Sequence, residues 1–164
     1  MVFGMSLATY TLLHVIISLI GLASGYVVVV GLLSSQRMPG WTALFLITTV
    51  LTSVTGFGFP FDQLLPSHIF GIISLIVLAV AILALYAFRL AGAWRWIYVV
   101  GAMIALYLNT FVGIVQAFLK IPALNALAPT QSEPPFAIAQ GVALLIFVVL
   151  TIVAAFKFRP AATR

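Results

Sequence analysis

This chain predicts an all-α fold: a polytopic transmembrane bundle of five helices in a single domain, 1–164. Three observations carry that prediction. Of its 164 residues 65% are hydrophobic and 5% charged, against roughly a quarter charged in a soluble domain. Apolar runs of about 20 residues, the length that spans a hydrocarbon core, recur along it. Clusters of Gly and Pro separate those runs.

The first span covers about 7–33 and stops at Ser34, Ser35, Gln36 and Arg37, with Pro39-Gly40 as the turn. No Lys or Arg precedes it, and it far exceeds the apolar core of a secretory leader, so it reads as a true span. The second covers about 41–57 and stops in the breaker cluster Gly56-Phe57-Gly58-Phe59-Pro60. The third opens at Pro66, a residue suited to a first helical turn, and covers about 66–89. The fourth covers about 94–120 and closes before Pro122. The fifth covers about 136–158, after Pro134-Pro135. Between the last two, Ile121, Leu124 and Leu127 recur at helical spacing, the mark of a short interfacial segment.

Arg37, Arg89, Arg95, Lys157, Arg159 and Arg164 fall on one side of these spans, and Lys120 with both acids, Asp62 and Glu133, on the other. Basic residues stay cytoplasmic. The amino terminus is therefore expected outside and the carboxyl terminus inside. Trp41, Trp94 and Trp96 flank the cytoplasmic helix ends as an interfacial belt. The net charge of +5 thus reports topology and no nucleic-acid partner. The absence of Cys excludes disulfides, thiolate metal sites, covalent haem and Cys nucleophiles. A weak internal repeat pairs Ile17-Ser18-Leu19-Ile20 with Ile73-Ser74-Leu75-Ile76, consistent with two parallel hairpins and a fifth helix.

Ionisable groups inside a bilayer are expensive and mark candidate sites. Here they are His14 and His68. At a rise of about 1.5 Å per residue, His14 lies about 9 Å outward of its helix centre and His68 about 15 Å. Gln116 and Gln140 come out at similar heights, and Asn109 nearer the midplane. On the first span Thr11, His14, Ser18, Gly21 and Gly25 share a polar or small face. On the second, Thr48, Thr52 and Thr55 share one. Such faces turn inward, because lipid cannot satisfy their hydrogen bonds. His14, Asn109, Gln116 and Gln140 are therefore expected around a common outer-leaflet pocket, with Asp62 and Gln63 over it.

Two imidazoles facing each other there would suit a b-type haem; the plainer alternative makes His14 an interhelical contact and His68 an interfacial residue. A zinc or copper site from His14, His68 and Asp62 or Glu133 is the third candidate, without short motif spacing to support it. Gly21 and Gly25 form a small-xxx-small pair that reads first as close packing within the chain.

The runs Leu90-Ala91-Gly92-Ala93-Trp94-Arg95-Trp96-Ile97-Tyr98, Ala105-Leu106-Tyr107-Leu108-Asn109 and Leu127-Ala128-Pro129-Thr130-Gln131-Ser132-Glu133-Pro134-Pro135-Phe136 resemble small bacterial inner-membrane proteins of no established activity. That resemblance implies a multi-pass protein of the bacterial cytoplasmic membrane and brings no cofactor or catalytic residue.

Two function classes follow. One is a small redox or ligand-binding protein that holds haem b or a quinone-like ligand. The other is an accessory subunit or assembly factor docking on another membrane protein. A carrier is disfavoured, for the spans lack the broken helices and midplane charges of that class.

Overall fold

The computed structural model describes residue 2, residues 4–60 and residues 66–161. Among the described residues are six α-helices: α1 (Leu7–Leu33), α2 (Pro39–Gly56), α3 (Pro66–Ile82), α4 (Trp94–Lys120), α5 (Pro122–Leu127) and α6 (Pro134–Lys157). A π-helical turn, Leu83–Ala87, continues α3. Among the described residues there are no strands, only an isolated bridge between Val2 and Met5.

The spans expected at 7–33 and 94–120 hold to the residue. Ser6 caps α1, its hydroxyl accepting from the Thr9 amide, which satisfies one of the donors a helix start leaves over. The other spans shift at their ends. Pro39-Gly40 is not a free turn but the start of α2, entered through Met38 in the left-handed region at φ 42°. Pro134 and Pro135 likewise belong to the first turn of α6. Proline is already set to a helical φ and lacks only an amide that a first turn would leave unbonded. The third span ends earlier than 89. Its π turn carries the Phe88 amide to the Leu83 carbonyl at 2.9 Å, and Arg89 and Leu90 follow at φ 49° and 61°. Phe88 then stacks on Trp94, ring centroids 3.9 Å apart. The interfacial segment expected around Ile121–Leu127 is the short helix α5.

α1 packs chiefly on α2, and α3 on α4, the two hairpins that the internal repeat implies. α4 is the central element and touches all the other helices. α6 lies outside, against α4 and α1. Val28, Leu32, Phe45, Leu78, Val99, Met103 and Leu106 build the core where these elements meet. Gly25 permits the closest approach: a Cβ there would meet Leu106 at 2.5 Å and Phe45 at 2.9 Å. The Gly21/Gly25 pair is thus used inside the chain.

Among the described residues four helical segments, Leu7–Leu33, His68–Ala87, Trp94–Lys120 and Pro134–Lys157, are long and apolar enough to cross a membrane by length and composition. Their outward faces carry large bare apolar side chains, among them Leu12, Ile76, Leu145 and Phe156. This build fits an integral membrane protein, whose solvent on those faces is lipid. α2, shorter and rich in Thr, is not among the four.

Candidate functional site

Thr55, in the last turn of α2, is the point to which α1 is bolted. Tyr10 donates its hydroxyl to the Thr55 carbonyl at 2.8 Å, and His14 Nδ1 meets the Thr55 hydroxyl at 2.7 Å. The Phe59 ring stands edge-on to both, with centroids 5.0 Å from Tyr10 and 5.2 Å from His14. The two α1 residues lie one turn apart and so reach the same neighbour.

The direction of the His14 bond follows from a second contact. Thr55 Oγ1 lies 2.6 Å from the Leu51 carbonyl. A carbonyl cannot donate, so at that separation the one hydroxyl proton must lie between these oxygens. Thr55 Oγ1 therefore accepts from His14, whose Nδ1 bears the hydrogen. Nε2 keeps its lone pair, and it makes no hydrogen bond among the described residues.

Beside His14 lies a cavity of about 100 Å³ bounded by α1, α2, α3 and α4. His14, Thr49, Thr52, Ser53, Ser74 and Asn109 supply its polar lining, and Phe70, Leu108 and Val112 its apolar walls. Glycines make the space: His14 rests on Gly56, and Phe57 presses on Gly71, where a Cβ would meet its ring at 3.0 Å. Ser53 donates to Ser74 at 3.0 Å, joining α2 to α3. Three other buried groups find no hydrogen-bond partner among the described residues: Thr49 Oγ1, Thr52 Oγ1 and Asn109 Nδ2. Thr49 is only 1% exposed. Gly21 faces the inner edge of this cluster, since a Cβ there would stand 3.3 Å from Asn109 Nδ2, Thr48 Oγ1 and Thr49 Oγ1 alike.

The other expected site residues lie elsewhere. His68 is buried on α3 with its ring 5.5 Å from that of Phe57, and it does not line the cavity. Gly56 and Phe57, successive residues at the end of α2, take one imidazole each. Gln140 donates to the Phe111 carbonyl at 3.2 Å, a contact between α6 and α4, and its Oε1 is buried without a partner among the described residues. Gln116 is exposed on α4. The common pocket expected around four residues thus contains two, His14 and Asn109. The reason is the placement of α6: it packs on the outside of α4, so amides that share a height do not share an interior. Asp62 and Gln63 fall outside the described residues.

A haem plate does not fit between the two histidines in this arrangement, because the end of α2 stands at both rings and the cavity reaches only one. Its volume is also well below the roughly 300–1,000 Å³ of ordinary cofactor pockets. Among the described residues no three His, Asp or Glu side chains come together for a metal. Glu133 is engaged instead with the Thr130 hydroxyl at 2.8 Å and with the Thr130 and Ser132 amides.

Sequence reasoning singled out His14 and Asn109 because an imidazole and an amide are conspicuous in apolar helices. It missed Thr49, Ser53 and Ser74 as lining residues, and read Thr52 first as part of an interhelical bonding face. Their one available signal was position: Thr49, Thr52 and Ser53 fall at three- and four-residue steps on α2. Comparisons with protein-family models, curated proteins and solved structures find no match.

Proposed function

We propose that this chain is a five-span protein of the bacterial inner membrane that binds a small quinone-like ligand in the cavity between α1, α2, α3 and α4. The binding reading rests on the convergence there of the partnerless Thr49 Oγ1, Thr52 Oγ1 and Asn109 Nδ2. A buried polar group left unbonded costs about 1–3 kcal/mol, and a hydrogen-bonding occupant relieves part of that cost. Apolar walls with a few convergent polar groups suit a ring carrying oxygens. His14, Thr49, Thr52 and Asn109 are the ligand-binding residues in this reading; His68 and Gln140 belong to the surrounding packing, and Gln116 lies exposed on α4.

α2 is the fifth span. Its 18 residues reach about 27 Å at 1.5 Å each, close to the ~30 Å hydrocarbon core. Its Thr and Ser residues turn inward, among them the buried Thr42, Thr48, Thr49 and Ser53. Arg37, Arg89, Arg95, Lys157 and Arg159 gather at one end of the bundle, which supports a cytoplasmic carboxyl terminus and an outer amino terminus.

Purified protein in lipid nanodiscs, titrated with short-tailed benzoquinone or benzoquinol, tests the reading. Saturable binding weakened about tenfold or more by Asn109→Leu or Thr49→Val is expected, a loss of one good hydrogen bond or more. Binding absent for both forms, or equal in the variants, would end it. A Soret band that shifts on reduction would instead restore the haem reading.

A further inference from the structure

We propose that this cavity selects the hydroxyl form of its ligand, a quinol-like headgroup that donates to Nε2 of His14 and accepts from Nδ2 of Asn109. The inference deepens the binding reading above and rests on it. Its basis is the fixed tautomer. Leu51 takes the Thr55 proton at 2.6 Å, so Thr55 Oγ1 takes the His14 Nδ1 hydrogen at 2.7 Å. The Nε2 edge is left as an acceptor beside the cavity that His14 lines. A quinone oxygen is also only an acceptor, so its lone pairs would oppose those of Nε2. A quinol oxygen carries the hydrogen that Nε2 needs and still accepts from Asn109.

Size limits the occupant. An apolar cavity of about 150 Å³ takes up a benzene ring, and this one measures about 100 Å³. It therefore accommodates the oxygen-bearing edge of one ring, with the remainder toward the lipid, and no larger macrocycle. Selection at a single hydroxyl is effective in such a site, because the wrong form leaves buried polar groups unpaired.

The test compares a short-tailed benzoquinol with the matching benzoquinone on the full chain in nanodiscs under argon. The quinol is expected to bind at least about tenfold more tightly. Thr55→Val removes the acceptor that holds the Nδ1 hydrogen, so it should bring the ratio toward one. His14→Phe should abolish the preference and leave weak binding through Asn109. Equal affinity of the two forms, tighter binding of the quinone, or a preference that survives His14→Phe would overturn the selection while leaving the binding reading in place. Failure of both forms to bind would sink both. One further measurement needs no variant of Thr55. Nitrogen-15 spectra of histidine-labelled protein, with His14 assigned by comparison with His14→Phe, should show Nδ1 protonated and Nε2 bare; the opposite tautomer overturns the proposal.

Discussion

Whether a threonine in an apolar helix is spent or available depends on where its single proton goes. Thr48 and Thr55 return theirs to the Leu44 and Leu51 carbonyls one turn back, the usual recourse of a hydroxyl in lipid-facing helices. The Thr49 and Thr52 hydroxyls have no partner among the described residues, and both side chains line the cavity. All four look alike in the sequence, which is why the lining was not legible from it. His14 was legible as a residue; its tautomer was not, because Leu51 and Thr55 decide it from another helix. The orphaned groups also carry an energetic signature. Replacing a buried, unbonded amide by an apolar side chain of similar size is neutral or stabilising. Asn109→Leu should therefore unfold at the same or higher temperature than the parent while losing the ligand, and a large drop in Tm would show that Asn109 is structural. Gly25 behaves oppositely. A side chain there runs into Phe45 and Leu106, so Gly25→Val should cost about 1–3 kcal/mol by overpacking, read from unfolding in mixed micelles.

The helices owe their ends to identifiable devices. Arg95, in the first turn of α4, donates through Nη1 to the Ala155 carbonyl at 3.0 Å and to the Phe158 carbonyl. Those oxygens belong to the last turn of α6, where carbonyls lack helical partners, and the cation also complements the negative end of that helix. Ser35 accepts from the Arg159 amide at 2.8 Å, tying the same end to the segment after α1. Sequence counting assigned Arg95 to topology alone. Its cap arises only because α4 and α6 pack side by side. Arg95→Met should loosen the end of α6, with a loss of about 2 kcal/mol, seen as faster amide exchange around Ala155–Phe158; unchanged exchange there would refute the cap. Helix boundaries were readable where breakers were local, as at Pro66 and at Lys120 before Pro122. They slipped by a few residues at Pro39 and Pro134, which start helices, and where the π turn ended α3.

Across the whole molecule, topology is the testable expectation. The chain contains no Cys, so single cysteines report cleanly. In cells treated with a membrane-impermeant maleimide, Cys at Thr130 should label and Cys at Ala91 should not. The reverse pattern would invert the bundle. The segment between α5 and α6 also has a pH response. The Thr130 hydroxyl and the neighbouring amides hold the Glu133 carboxyl below its ordinary value of 4.5. Its contribution is complete above that value and fades as pH falls through the lowered folded pKa. Protection of the Thr130 and Ser132 amides, measured against their intrinsic exchange rates, should therefore hold at neutral pH and fall only as the carboxyl is protonated below that value; low protection at neutrality would contradict the contact.

Hydrophobic runs and their breakers were enough for an all-α bundle of long apolar helices that fits a membrane protein, because each is a local property of chain and solvent. They placed His14, His68, Gln116 and Gln140 in the outer half of the spans and Asn109 nearer the midplane. Depth is one coordinate; the angle around the bundle is the other, and it depends on which helix packs against which. That choice is made by contacts distant in sequence, such as Gly25 with Phe45 and Leu106, or Gly71 with Phe57. These contacts put α4 at the centre and α6 outside. His14 and Asn109 consequently face one cavity, while His68 and the two glutamines of equal height do not.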